Sequence, residues 1–295
     1  VARITDIKQG EVTLPDTKTV VPPRVLGKQP KTKQTGKTRR EQLADWLTSK
    51  DNPYFAKVMV NRVWADMMGR GLVEPVDDLR ATNPPSNAEL LDALADDFRK
   101  NGFHLKQLIR RIANSHVYGL SSLPSKRNVS DTRNYSRHYR RRLRAEVLLD
   151  SIVSITEIPE RFDAMPAGSR AKEVWSHRIP SLFLDAFGRP DPNQDPPCER
   201  TGETSIVQAL HLMNSEKLAA KLTNDNSLPA KISAKKLTPE KITEELYLRV
   251  YSRFPTAEEH KIALMVFQKK GTTPRRATED LLWAILNTPE FVFKD

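Results

Sequence analysis

The chain has 295 residues, with 48 Lys and Arg against 37 Asp and Glu for a formal net charge of +11, and 38% of it is hydrophobic. That length supports one or two domains with a core that needs no metal or disulfide staple, and the 29% charged content, divided between both signs, falls short of the signature of disorder. Cys198 is the single cysteine, which excludes an intrachain disulfide, a paired-thiol redox motif, a c-type haem attachment and a cysteine-rich zinc site.

In chain order, Val12 and Leu14 followed by Val20 and Val21 alternate around Pro15-Asp16-Thr17-Lys18, the pattern of a small β-hairpin. Residues 27–38 carry Gly, Lys, Gln, Pro and Thr without apolar side chains, a linker composition, so a β-rich extension over 1–38 is expected to precede a helical domain over 39–295. The first helix shows Leu43, Trp46 and Leu47 on one stripe, and Asn52-Pro53 predicts the start of a second that ends near Gly69. Ser86 and Glu89 have capping-box spacing before Leu90, Leu91, Leu94 and Phe98, with Gly102 as the stop. Leu105, Leu108, Ile109 and Ile112 mark the next helix. Residues 140–156 read as a helix that begins basic and becomes apolar through Val147, Leu148, Leu149, Ile152 and Val153, placing it in the core.

Seven prolines over 157–203 predict an irregular insertion, with Leu182-Phe183-Leu184 as an anchor into the core. A helix with Ile206, Leu210 and Met213 fades into a polar stretch over 223–237. Three helices then close the chain: one opened by Thr238-Pro239, one by a capping box at Thr256 and Glu259, and one carrying Leu281, Leu282, Ile285 and Leu286. The expected fold class is therefore mainly α, a single domain of about eight or nine helices with a β-rich N-terminal extension and a proline-rich insertion. No fixed-period repeat argues for a solenoid.

The positive charge is concentrated in two segments. Lys28, Lys31, Lys33, Lys37, Arg39 and Arg40 have no acid among them, and Lys126, Arg127, Arg133, Arg137, Arg140, Arg141, Arg142 and Arg144 are opposed by Asp131 alone. Arginines at this density, with Tyr135 and Tyr139 between them, can fork phosphate, sulfate or carboxylate groups, or can cover carboxylates such as Asp77, Asp78 and Asp97 within the same fold. No helix-turn-helix, zinc-finger or RNP-like pattern points to nucleic acid. The six histidines, 104, 116, 138, 177, 211 and 260, lack metal-ligand spacing, so no metal is assigned and His116 and His211 read as core or partly buried. Cys198 reads as structural. No nucleophile elbow, phosphate loop or dinucleotide fingerprint is present, and no catalytic residue is assigned. No apolar run approaches the ~18 residues of a membrane-spanning helix, and the polar segment after Val1 is not a signal peptide. Opening on Val1, the chain reads as a fragment or processed product.

The run NPYFAKVMVNRVWADMMGRGLVEPVDDL over 52–79, followed by NPPSNAELLDALADDF over 83–98, resembles the planctomycete-specific domain of unknown function found at the C-terminal end of large exported planctomycete proteins. The resemblance continues through RRLRAEVLLDSI at 141–152, FGRPD at 187–191, CERTGETSIVQALHLMNS at 198–215 and DLLWAILNTPEF at 280–291, covering about 39–295. It implies an exported protein at the periplasm or cell surface, with haem-bearing cytochrome c-like modules upstream and no cofactor in this chain. It also implies that Asn61, Arg62, Trp64, Gly69, Arg70, Gly71, Asp77, Asp78, Ser86, Glu89, Arg142, Glu146, Glu199, Arg200, Gln208 and Asn214 are motif residues. Where relatives carry Cys-x-Cys-Glu-Arg, this chain has Pro196 in place of the first cysteine, which removes a two-thiol role.

Two expectations follow for the motif residues. Structurally, Arg62, Arg142, Asp77 and Glu146 form a buried network, Ser86 and Glu89 form a cap, and Arg62→Ala unfolds the protein. Functionally, Arg62, Trp64, Asp77, Asp78, Arg140, Arg141, Arg142, Glu199 and Arg200 bind, with Trp64 as a stacking wall. The resulting reading is a non-catalytic structural or binding module that takes anionic polysaccharide or docks a partner protein domain. Its competitors are a polysaccharide-acting hydrolase using Asp77, Asp78 or Glu199, and generic nucleic-acid binding through 126–144.

Overall fold

The computed structural model describes residues 5, 10–22, 24, 36–49, 52–190 and 206–294, without the side chains of 206, 207, 209 and 210. Lys28, Lys31, Lys33, Cys198, Glu199 and Arg200 lie outside the described residues. The chain divides into two compact units, Val1–Tyr139 and Arg140–Asp295, and both are mainly helical.

In the first unit β1 (Val12–Thr13) pairs antiparallel with β2 (Val20–Val21), Val12 opposite Val21, as the alternation predicts. Arg39 donates from Nη1 to the Gly10 carbonyl at 2.9 Å and pairs with Glu11 at 2.7 Å, tying the hairpin to the start of α1 (Arg39–Leu47). Thr38 and Glu41 cap α1 reciprocally, yet no α1 residue is fully buried and Leu43 of the expected stripe is exposed.

Helix α2 (Phe55–Met68) starts three residues after Asn52, whose Oδ1 accepts from the amides of Tyr54 and Phe55 at 2.8 Å; the predicted capping residue acts from just outside the helix. Its inner face carries Ala56, Val60, Asn61, Trp64, Met67 and Met68, and left-handed Gly69 (φ 85°) ends it. α3 (Ala88–Lys100) and α4 (Leu105–Ala113) lie against α2 through Leu91, Leu94, Phe98, Leu108 and Ile112. Leu105 and Ile109, expected on the α4 stripe, remain exposed. The expected Ser86 cap is displaced by one residue. Asn87 accepts from the Leu90 amide at 2.9 Å, while the Ser86 amide donates to the Leu72 carbonyl.

The second unit opens with β3 (Arg141–Arg142), which pairs antiparallel with β4 (Phe293–Lys294) at the far end of the chain. The basic run is therefore extended where a helix is expected, because its backbone groups find partners in the C-terminal segment. α5 (Ala145–Thr156) follows and buries Leu148, Leu149 and Ile152 in the core, as its apolar run predicts.

The proline-rich stretch makes a short 3₁₀ turn, Ala171–Glu173, and α6 (Leu182–Ala186), which buries Leu184 but leaves Leu182 exposed. α7 (Ile206–Asn214) and α8 (Glu216–Thr223) lead to α9 (Leu228–Ala234), formed within the stretch read as polar. Ser227 caps α9, Pro229 occupies its first turn, and Leu228 and Ile232 are buried. α10 (Pro239–Tyr251), α11 (Ala257–Gln268) and α12 (Pro274–Leu286) start on Thr238, Thr256 and Thr273, and α13 (Pro289–Val292) starts on Thr288. α12 buries Leu281, Leu282, Ile285 and Leu286 and packs on α8, α9, α10 and α11. Each such aliphatic side chain contributes about 1.5–3 kcal/mol of transfer free energy.

Candidate functional site

The motif residues of the first unit build a loop held against a helix. Asn61, fully buried on α2, donates from Nδ2 to the carbonyls of Val73 at 2.9 Å and Val76 at 2.7 Å, and its Oδ1 accepts from the Val73 amide at 3.0 Å. A β-carbon at Gly71 would sit 2.3 Å from the Val73 oxygen, so only glycine allows the loop this close to Asn61. Tyr135 closes the arrangement from a distant loop. Its hydroxyl donates to the Arg70 and Gly71 carbonyls at 3.0 and 2.8 Å, its ring meets Trp64 edge-on at 5.4 Å, and burial raises its pKa to about 12. Trp64 is 2% exposed and belongs to the core; it cannot act as a stacking wall for a ligand.

Arg62 lies on the other side of α2. It forks Asp77 through Nε and Nη2 at 2.7 and 2.8 Å, and the two side chains are 57% and 59% exposed, so the expected buried network is replaced here by a surface pair. Asp78 turns to Arg80 instead, with both bonds at 2.6 Å. The hydrogen bond from Arg62 and its charge hold the Asp77 carboxyl below its ordinary range, and Arg80 does the same for Asp78. Each of the two carboxyls is thus engaged in its charged form by a separate arginine. Glu89 lies in the first turn of α3 and supports the helix dipole.

In the second unit Arg142 is a structural arginine. Its Nη1 and Nη2 donate to the carbonyls of Leu143 at 3.1 Å and Phe187 at 2.9 Å, its guanidinium lies 5.3 Å from the Phe187 ring centre, and burial lowers its pKa. Arg140 is exposed and Arg141 is half-buried in β3. Gln208 is buried.

Among the described residues of this unit, two cavities stand out. One, of about 350 Å³, has an apolar floor of Leu149, Ile152, Phe183 and Leu218 with His211, Asn214 and Ser215 at its sides. His211 is half-buried, edge-on to Phe183 at 5.7 Å and to Phe187 at 6.1 Å, and burial followed by the nearby Lys217 charge lowers its pKa. Lys221, on the same wall, is buried against Glu160 at 3.1 Å and donates to the Ile158 and Pro159 carbonyls, both at 3.0 Å.

The other cavity, of about 680 Å³, is lined by Arg144, Glu146 and Val147 of the α5 entrance, by Ala171, Lys172, Val174, Ser176 and His177, and by Leu184, Arg189 and Pro190. It brings Glu146 together with Arg189 of the FGRPD run, although the two are far apart in sequence. Arg189 is 6% exposed, with Nε on Asp185 Oδ1 at 2.6 Å. Sequence reasoning names Glu146 but misses Lys172, His177 and Arg189 as a group; the inclusion of Arg189 in a motif run was the available signal.

Among the described residues no group of three or more His, Cys, Asp or Glu is placed to hold a metal ion, and no helix is long and apolar enough to cross a membrane. No curated protein and no solved structure matches the chain. The model of the PSD1 family, described as a protein of unknown function (DUF1553), matches residues 39–267, a span that includes the Asn61-anchored loop, and the chain belongs to this family.

Proposed function

We propose that the chain is a non-catalytic binding module of a larger exported protein and that its ligand is an anionic polysaccharide. The observation that carries this reading is the segregation of charge. The chain's +11 is concentrated in two basic stretches of the sequence, and the carboxylates best placed by sequence for acid–base work, Asp77 and Asp78, are each engaged by an arginine fork. A cation-rich surface attracts a polyanion at long range and concentrates it locally, with a strength that falls as salt rises. Export, and a setting beside haem-bearing modules, rest on the sequence resemblance to planctomycete-specific domains.

Lys126, Arg127 and Arg133 are exposed cations of the basic stretch in the first unit, whereas Arg142 holds the second unit together. The variant K126Q/R127Q/R133Q is therefore expected to keep its fold and elute from immobilised sulfated polysaccharide at lower salt than the parent chain. Elution at the same salt would exclude these residues as the binding surface. Hydrolysis of any polysaccharide by the purified chain, abolished by D77N or D78N, would favour the hydrolase reading instead.

A further inference from the structure

We infer that the outer face of α11 is an interface between two copies of this chain, packed antiparallel about a twofold axis through the middle of the helix. The inference stands apart from the polyanion reading, since it needs no ligand. Ile262, Ala263, Leu264, Met265, Val266 and Phe267 are consecutive apolar residues, and at about 3.6 residues per turn such a run goes all the way round the helix. The chain's own core takes one side of it, where Ala263 is buried and Phe267 packs against the core cluster. The opposite side leaves Ile262 65% and Met265 62% exposed among the described residues. Two large apolar side chains one turn apart in water gain transfer free energy from any surface that covers both.

The charges on the same face identify the covering surface. Glu258, Ile262, Met265 and Lys269 follow one another at the spacing of a helical stripe, and at about 100° per residue they fall within an arc of about 60°. Lys269 is the C-cap of α11, and its φ of −63° keeps it in the helical phase. Glu258 and Lys269 are exposed, and neither pairs with another side chain among the described residues, whereas the adjacent Glu259 is held by Arg253. An acid at one end, a base at the other and two apolar residues between them make a self-complementary row. The midpoint of positions 258 and 269 is also the midpoint of 262 and 265. One twofold axis therefore sets Glu258 against the partner's Lys269 and Ile262 against the partner's Met265, with each contact made twice. Parallel packing would instead bring like charges together at both ends. With one helix from each copy the interface lies at the small end of specific contacts, so the dimer is weak and reversible.

The test is sedimentation equilibrium of the full chain over about 1–500 µM. The expected result is a reversible monomer–dimer equilibrium that weakens as salt rises. E258K and K269E change exposed positions and should leave far-UV circular dichroism unchanged. Each turns two attractive pairs into two repulsive ones, so each is expected to weaken dimerisation at least about tenfold, and I262D to do the same by placing a charge in the apolar centre. The combined variant E258K/K269E exchanges the charges and should regain the parent's affinity. An equimolar mixture of the two single variants should dimerise although neither does alone, because a copy with bases at both ends matches a copy with acids at both. A chain that stays monomeric over the whole range overturns the inference, as does a dimer indifferent to I262D. Failure of the mixture or of the combined variant to associate overturns the antiparallel arrangement.

Discussion

Replacing Asn61 by Ala removes the anchor of the loop that follows α2, and its cost can be worked from the hydrogen bonds. The amide satisfies the N–H and C=O of Val73, a 2% exposed residue, and the C=O of half-buried Val76. Water can reach the Val76 carbonyl when the amide is gone, but the two Val73 groups stay in a site without solvent. At about 1–2 kcal/mol for each buried orphan plus a smaller amount for the third, Asn61→Ala should lose about 3 kcal/mol. That is a large fraction of the ~5–15 kcal/mol that holds a typical domain. Trp64 lies on the same helix one turn along and is fully buried, so its fluorescence reports the region directly. In a background where Trp46, Trp175 and Trp283 are replaced by Phe, urea unfolding followed at Trp64 should show a lowered midpoint with an unchanged slope. A loss below about 1 kcal/mol would refute the reasoning, because the orphaned Val73 groups would then have found other partners.

The neighbouring Arg62→Ala should cost less than about 1 kcal/mol, since its fork with Asp77 is in solvent; unfolding of that variant in the same urea titration would contradict the exposed placement. Ile232→Ala should cost about 2–4 kcal/mol in a denaturation followed by circular dichroism, because its side chain is fully buried; a near-neutral result would detach α9 from the core. Arg253 forks Glu259 at 2.7 and 2.8 Å, and with the Thr256 cap this lowers the Glu259 pKa from its usual 4.5 to about 2. A depressed carboxyl contributes stability above its unfolded pKa and loses it as pH falls through the folded one, so the melting temperature should drop between about pH 4.5 and 2 and that drop should shrink in E259Q. Parallel profiles for the two proteins would assign the acid sensitivity to other groups.

The helices were legible where a local chemical signal marks their starts. Thr256 with Glu259, and Thr238 before Pro239, each act within a few residues, and the structure uses them as caps. The Ser86 reading failed by one position because Ser and Asn are both capping residues and stand side by side; the Leu72 carbonyl engages the Ser86 amide and leaves the cap to Asn87. Residues 141–142 carry a local pattern that points to helix, but their partner strand, 293–294, is remote in sequence and no local pattern encodes the pairing. α9 was missed because its apolar content is only Leu228, Pro229 and Ile232 in a polar surrounding, and burial against α12 decides its state.

Part of the candidate site was legible too. Asn61, Gly71 and Asp77 stand out as motif residues, but the burial of Trp64 and the exposure of Arg62 depend on which face of α2 meets the core. The cavity with Arg144, Lys172 and Arg189 was not legible, since it combines three separate segments and includes an arginine that burial rules place at the surface.

The central claim, a module that binds a specific anionic glycan, is tested most directly by titrating the intact chain with neutral glycan, sulfated glycan and DNA at low and moderate salt. The account predicts saturable binding of the sulfated glycan that survives moderate salt, no binding of the neutral glycan, and DNA binding that salt abolishes. Weak binding to every polyanion, lost alike in salt, would contradict it and reduce the +11 charge to general electrostatics.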